Sequence, residues 1–399
     1  MPSLQSSVAP GRRLQGIDAL RGMAVILVLF RHLTYTWPGT DSGMVWDFVH
    51  VVHRGGWIGV DLFFVLSGFL VSGLLFKEYI AKGEIDVWRF LIRRGFKIYP
   101  SFWILILTTV GVNFLFQVEA PKRAILSELA FLQNYGQALW NHTWTLAVEE
   151  HFYIGLVLLV YLLVRFKQAS EHVLQSIPAV ALTVMLVTLL NRSWNTLQYP
   201  WSFKTNVFVT HMRVDSLMFG VLLSWFFWFR GDDLSRFVHA RRGWLLFGGI
   251  ALLIPPFVWP LEESRVISSI GFSALYLGAG MLLLLALYHR IEVPFVTAFL
   301  SKVGFYSYSI YLWHMLVFKW LVPRIGPLFP GWNFSWHVLL CLAGSLSFGL
   351  AAARLVELPA LKIRDSYFPS RATRRSGVTH GKSPSQKRHV LVEPLFPSA

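Results

Sequence analysis

The chain has 399 residues, 55% of them hydrophobic and only 14% charged, with a formal net charge of +15. A soluble domain carries about 25% charged residues, so the composition excludes one; with several apolar runs of spanning length it specifies a multi-span integral membrane protein. The basic excess does not indicate nucleic acid, because Lys and Arg concentrate in alternate loops, as the positive-inside rule requires.

Cys341 is the single cysteine and sits in an apolar run, which leaves no disulfide framework, thiolate metal site or redox pair. The first apolar run is not followed by a small-residue cleavage site, so the N-terminus reads as uncleaved. Ten apolar segments are expected, near 17–35, 57–76, 99–117, 146–165, 177–191, 205–229, 243–260, 267–288, 299–322 and 335–356. Basic residues in the even-numbered turns and the two ends outnumber those in the opposite loops by about three to one. The expectation is an all-α bundle of about ten transmembrane helices with both termini cytoplasmic. No internal repeat or second soluble domain is visible. The chain divides into a cytoplasmic segment 1–15, a membrane domain 16–358 and a basic tail 359–399, rich in Ser and Pro and expected to be disordered.

The first span, GIDALRGMAVILVLFRHLTY, carries charge where a mere anchor would carry none. Arg21 and His32 are 11 residues apart, about three turns plus roughly 20°, so they leave one face about 16 Å apart along the axis. Asp18 lies within a turn of the same stripe. Ionisable groups inside a bilayer normally face the bundle interior, have partners and serve a function.

The second span opens GGWIGVDLFFVLSGFL, and its small residues suit close helix packing. Asp61 there needs a partner, with His32 and Arg213 the candidates by depth. The stretch VWRFLIRRGFKIYP follows, interleaving aromatic residues with Arg89, Arg93, Arg94 and Lys97. It reads either as an interfacial anchor or as a cradle for a phosphorylated cytosolic ligand such as an acyl-coenzyme A, since guanidinium pairs with phosphate bidentately.

Next comes HTWTLAVEEHFYIG. Glu149 and Glu150 point about 100° apart on a helix, so one of them is expected to face the bundle, with Thr145 on the face of Glu149. In HMRVDSLMFG, Arg213 and Asp215 cannot face each other at i,i+2 and are expected to neutralise charges elsewhere. In YSYSIYLWHMLVFKW, His314 reads as structural. Arg354 and Glu357 read as an i,i+3 ion pair. His50 and His53 have no evident third ligand, so no metal is expected.

Taken in order, these strings resemble the membrane acyltransferase-3 family, the polytopic O-acyltransferases of bacterial surface glycans. The resemblance runs from about residue 16 to 358 and rests on Arg21 and His32, GVDLFFVLSGFL, RRGFKIYP, TWTLAVEEHFY, RVDSLMFG, SYSIYLWH and VELP. It implies about ten helices, acyl-CoA as donor substrate, and essential roles for Arg21 and His32. Two departures stand out. The family's Arg-x-x-Arg appears as Arg94-x-x-Lys97, which loses one planar fork, and the Ser that opens the acidic motif is Thr145. A secreted hydrolase-like domain, found in some members, is not expected.

The activity this implies is transfer of an acyl group, expected to be acetyl, from cytosolic acyl-CoA to a hydroxyl of a cell-surface glycan or lipid-linked saccharide in the bacterial inner membrane. No permanently bound cofactor is expected. His32 would act as general base and either Asp61 or Glu149 would orient it. Arg21 would bind donor phosphate or polarise the thioester, and Arg93, Arg94 and Lys97 would hold the coenzyme. Asp18, Glu150, Arg213 and Asp215 would balance charge. Direct transfer and a covalent acyl-histidine both remain open, as does a macrolide-like acceptor. The rival class is a transporter or flippase, with the intramembrane charges forming a substrate path.

Overall fold

A computed structural model describes residues 10–33, 43–166, 173–289 and 293–369. Among them there is no strand, and the chain is helical almost throughout. Helix α1 is Pro10–Leu33, α2 is Met44–Gly55, α3 is Ile58–Lys82 and α4 is Val87–Leu115. The short α5, Lys122–Leu129, precedes a 3-10 turn at Asn141–Thr143 that leads into α6, Trp144–Phe166. Then come α7 (Ile177–Gln198), α8 (Val214–Phe229), α9 (Gly231–Ala240), α10 (Arg242–Leu253) and α11 (Pro255–Val258). The last third holds α12 (Phe272–Tyr288), α13 (Pro294–Phe305), α14 (Ser307–Leu316), α15 (Val322–Ile325), α16 (Phe334–Ala352) and α17 (Leu358–Tyr367).

Six helices among the described residues are long and apolar enough to cross a membrane, seven if α9 and the α10–α11 run, bent by 81°, count as one span. The ten expected segments exceed this for physical reasons. The first carries Asp18, Arg21 and Arg31 within its apolar stretch. The segment near 205–229 breaks at Arg213, leaving α8 only 16 residues. The segment near 299–322 breaks at Tyr306 between α13 and α14.

Two crossings fix the frame of the bundle. Helix α3 packs along α8 with Gly68 and Gly220 at the contact. A Cβ on Gly68 would stand 2.0 Å from the Leu217 carbonyl oxygen, and one on Gly220 would stand 2.2 Å from that of Val65. Helix α1 packs along α13 in the same manner: a Cβ on Gly304 would fall 1.7 Å from the Asp18 carbonyl oxygen. Backbone approach this close is how helices associate where burial of apolar surface offers no driving force. It also sets α1 at the height where Arg21 faces inward.

The stretch 359–369, expected as the start of a loose tail, is instead mostly α17, laid against α4. Its amphipathic pattern explains the difference: Leu358 and Leu361 turn inward, while Arg93 Nη2 meets Asp365 Oδ1 at 3.2 Å. Arg89 and Arg93 also donate to the carbonyls of Pro369 and Phe368, the unsatisfied end of the helix. Residues 370–399 and 1–9, the rest of the expected tail and leading segment, lie outside the described residues.

Candidate active site

A cavity of about 400 Å³ lies between α1, α3, α4, α6, α14 and α17. One face of α3, from Val60 to Leu74, forms its long apolar wall and spans about 21 Å of helix. The charged residues lining it are Asp18, Arg21, Arg94, Lys97, Glu149, Glu357, Lys362 and Asp365. Helices far apart in sequence thus deliver the motifs to one chamber.

Arg21 and Arg94 are loosely held here. Arg21 Nη1 is 3.8 Å from Asp18 Oδ1, with both side chains 24% exposed. Arg94 lies over the Tyr153 ring at 4.4 Å, and its Nε has no hydrogen-bond partner. Glu149 accepts from Ser67 Oγ at 2.9 Å and from Tyr153 OH at 2.7 Å. Lys97 pairs with Glu357, which also accepts from Ser309 Oγ at 2.5 Å. This corrects the expected pairing of Glu357 with Arg354: at i,i+3 on the final turns, Arg354 is exposed while Glu357 faces the interior.

Glu149 and Glu150 both face the interior. Glu150 is 5% exposed and accepts from Tyr99 OH at 3.0 Å, its other oxygen unpartnered. Of the three residues expected to hold coenzyme, Arg94 and Lys97 line the cavity, whereas Arg93 is turned to Asp365 and the end of α17.

Beyond the cavity stand three histidines. The Tyr311 hydroxyl, at the cavity's inner end, donates to the His142 carbonyl at 2.6 Å and meets Thr145 Oγ1 at 2.7 Å. One helical turn on, His314 Nδ1 donates to the Tyr311 carbonyl at 2.5 Å. That leaves His314 Nε2 as an acceptor, and His32 Nδ1 lies 3.3 Å from it and 2.9 Å from the Val28 carbonyl. A single Nδ1–H shared between these acceptors satisfies both contacts. The tautomer that follows carries the lone pair of His32 on Nε2, which has no hydrogen-bond partner among the described residues.

His142 completes the group, its ring centroid 5.0 Å from that of His314. Its Nε2 donates to the Leu312 carbonyl at 3.1 Å, and its Nδ1 has no partner. One nitrogen of each ring is thus occupied by a carbonyl, and no group of metal ligands forms among the described residues.

Asp61 does not accompany His32. It is fully buried and accepts from Arg213 Nη2 at 2.8 Å and Ser216 Oγ at 2.9 Å. Arg213 in turn lies 3.8 Å from the Phe272 ring centroid. Asp215 pairs with Arg192 at 2.8 Å, and Arg192 spends its remaining donors on the Ser269 and Met212 carbonyls and Ser273 Oγ. The depth argument offered Asp61 two partners, and a guanidinium with a full charge wins over a neutral imidazole. No carboxylate stands beside His32 among the described residues.

Arg21 and His32 do share the α14 side of α1, Arg21 through the cavity and His32 through His314. Sequence reasoning passed over His142 and Tyr311 and read His314 as structural. A signal was available: Tyr311 and His314 stand at i,i+3 in SYSIYLWH, and His142 opens the acidic motif.

The chain is similar to the O-acetyltransferase OatA of Staphylococcus aureus, 27% identical over 331 residues that cover 76% of this chain and 50% of the relative. It is similar also to the peptidoglycan O-acetyltransferase OatA of Listeria monocytogenes, 27% identical over 378 residues, 87% of this chain and 55% of the relative. The chain therefore spans about half the length of these curated relatives. No solved structure matches it. The model of an acyltransferase domain matches residues 14–354, most of the length, and the chain belongs to the acyltransferase-3 family.

Proposed function

We propose that this chain is a membrane O-acyltransferase that moves an acetyl group from acetyl-CoA to a hydroxyl of a cell-surface glycan. The observation that carries the reading is the cavity: a mouth that holds Arg21, Arg94 and Lys97, a long apolar wall, and an inner end at Tyr311, whose carbonyl accepts from His314, the partner of His32. Arg21, Arg94 and Lys97 take the donor's phosphates as charge-assisted hydrogen bonds. The α3 wall receives the apolar part of the pantetheine arm, and the thioester reaches Thr145 and Tyr311. Glu149 keeps Arg94 and Tyr153 in place as a positioning residue.

In the reaction, His32 Nε2 takes the proton of the acceptor hydroxyl as its oxygen attacks the thioester carbonyl carbon. The carbon–sulfur bond breaks, and the coenzyme A thiolate takes up the proton that His32 received, which restores the neutral imidazole. The positive charge on His32 spreads to His314 through the shared Nδ1 hydrogen bond. In this reading the basic face of α4 and α17 is cytoplasmic, the chain crosses the bacterial inner membrane ten times with both termini inside, and the acceptor arrives from the other side. The peptidoglycan in one relative's name suggests the class of glycan.

The test uses membranes containing wild type or His32→Ala at equal abundance, given radiolabelled acetyl-CoA and total cell glycan. Label moves to glycan with the wild type and falls by about 10²–10⁴ with the variant. Equal transfer by both proteins removes His32 from the mechanism. Export of unmodified substrate without labelling would instead support transport.

A further inference from the structure

The donor cavity stops short of the histidines. Phe63, Thr145 and Tyr311 line it, and none of His32, His142 and His314 does. One side chain touches both compartments. The Tyr311 ring, 7% exposed, meets the Phe63 ring of the cavity wall edge-on at 6.1 Å between centroids. It also meets the His142 ring at 5.7 Å and the His314 ring at 5.8 Å.

Tyr311 is held there by its tip. The hydroxyl has one proton, which goes to the His142 carbonyl at 2.6 Å, so the threonine proton completes the 2.7 Å contact with Thr145 Oγ1. Thr145 is itself 5% exposed and β-branched, which limits its χ1 positions. Two hydrogen bonds thus tie α14 to the turn Asn141–Thr143 and to the first turn of α6. A phenylalanine would fill the same space without them.

We infer that Tyr311 is a gate between the donor cavity and the histidine group, and so decides whether a bound thioester meets the acceptor hydroxyl or water. The inference rests on the acyltransferase reading for what passes, and on this partition for the gate itself. Shut, as here, the ring keeps a thioester on the α3 side, away from His32. Open, it lets the thioester carbon reach an oxygen that His32 activates. An acceptor arriving at His32 presses on the histidine group, and the carbonyl that holds the latch belongs to His142 in that group. The gate guards against hydrolysis. There His32 takes a proton from water, the water oxygen attacks the thioester carbon and the carbon–sulfur bond breaks. The coenzyme A thiolate then takes the proton, leaving acetate and coenzyme A. Excluding water from a reactive group is what closing elements of active sites achieve.

The test labels histidines with diethyl pyrocarbonate in the full chain in lipid nanodiscs and locates the adducts by mass spectrometry. His142 is the reporter, being 5% exposed with no partner at Nδ1. It is protected in wild type. Tyr311→Phe keeps the ring and removes both latch bonds, and labelling rises about tenfold; Thr145→Val removes one bond and raises it a few-fold. Adding Leu70→Trp plugs the cavity part-way along α3 and returns labelling toward the wild-type rate, which a tyrosine that merely supports the fold would not allow. With acetyl-CoA and no glycan, Tyr311→Phe releases coenzyme A about tenfold faster than wild type.

Equal labelling of His142 in wild type and Tyr311→Phe, or labelling that Leu70→Trp leaves high, overturns the gate even where acetyl transfer is observed. So does an unchanged release of coenzyme A by Tyr311→Phe when the wild type transfers acetyl. Labelling that follows the expected order in a chain that transfers no acetyl upholds the gate and removes the proposed activity.

Discussion

The bundle contains two populations of intramembrane charge, and they are built differently. Around Asp61, Arg192, Arg213 and Asp215 each guanidinium meets a carboxylate at 2.8 Å, and all four side chains are at most 1% exposed. Around Arg21, Arg94 and Glu149 the distances are longer or the partners are neutral rings and hydroxyls, and the groups open onto a cavity. The sealed set pairs each charge with an opposite one away from any opening and holds helices together, with Arg213 Nε and Nη1 and Asp61 Oδ2 left without a hydrogen-bond partner. The open set has capacity left for a ligand. A charged residue inside a membrane protein is therefore read by whether an opposite charge meets it closely and whether it opens onto a cavity, and less by its depth.

The largest expected effect comes from breaking the sealed set. Asp61→Ala leaves Arg213 buried and uncompensated, and should lower stability by about 3–5 kcal/mol, enough to deplete folded protein in membranes. Replacing the pair together, as Asp61→Leu with Arg213→Met, should recover much of that loss in a thermal unfolding assay in detergent. A tolerated Asp61→Ala would erase the distinction between the two populations.

In the open set, Arg94→Ala should weaken acetyl-CoA binding by about 1.5–3 kcal/mol while leaving the unfolding temperature near that of wild type. Isothermal titration on the same preparations separates the two. A variant that unfolds as readily as Asp61→Ala would make Arg94 part of the scaffold.

The smallest effect lies outside the spans, at Glu128. Burial pushes its carboxyl from the ordinary 4.5 up to about 7, against the lowering influence of its hydrogen bonds. The folded state therefore binds more protons than the unfolded one between these values. Stability contributed here is full below about 4.5 and declines as pH rises toward 7. Glu128→Gln keeps an acceptor oxygen without the charge, and should flatten this part of the stability profile in unfolding scans between pH 4.5 and 7. An unchanged slope would place the titration elsewhere.

Much of the architecture was legible along the chain. Apolar runs, their charged interruptions and the basic bias of alternate loops announce a helical membrane bundle. The 11-residue spacing of Arg21 and His32 follows from helix geometry alone. The segment breaks at Arg213 and Tyr306 were not legible, because a run of apolar residues looks the same whether one helix or two crosses it. Helix α17 was hidden by its own basic content, which resembles a loose tail until α4 supplies contacts for Arg364's neighbours Asp365 and Leu361.

The sequence by itself determined most of the helices, the charge they carry and the face that Arg21 and His32 share, since these depend on local periodicity and composition. Which charge meets which was decided only by the tertiary structure. Asp61 finds Arg213 across 152 residues, Lys97 finds Glu357 across 260, and His32 finds His314 across 282. Such partners are set by how helices cross, through contacts such as Gly304 on the backbone of Asp18, and a spacing rule reaches only one helix at a time.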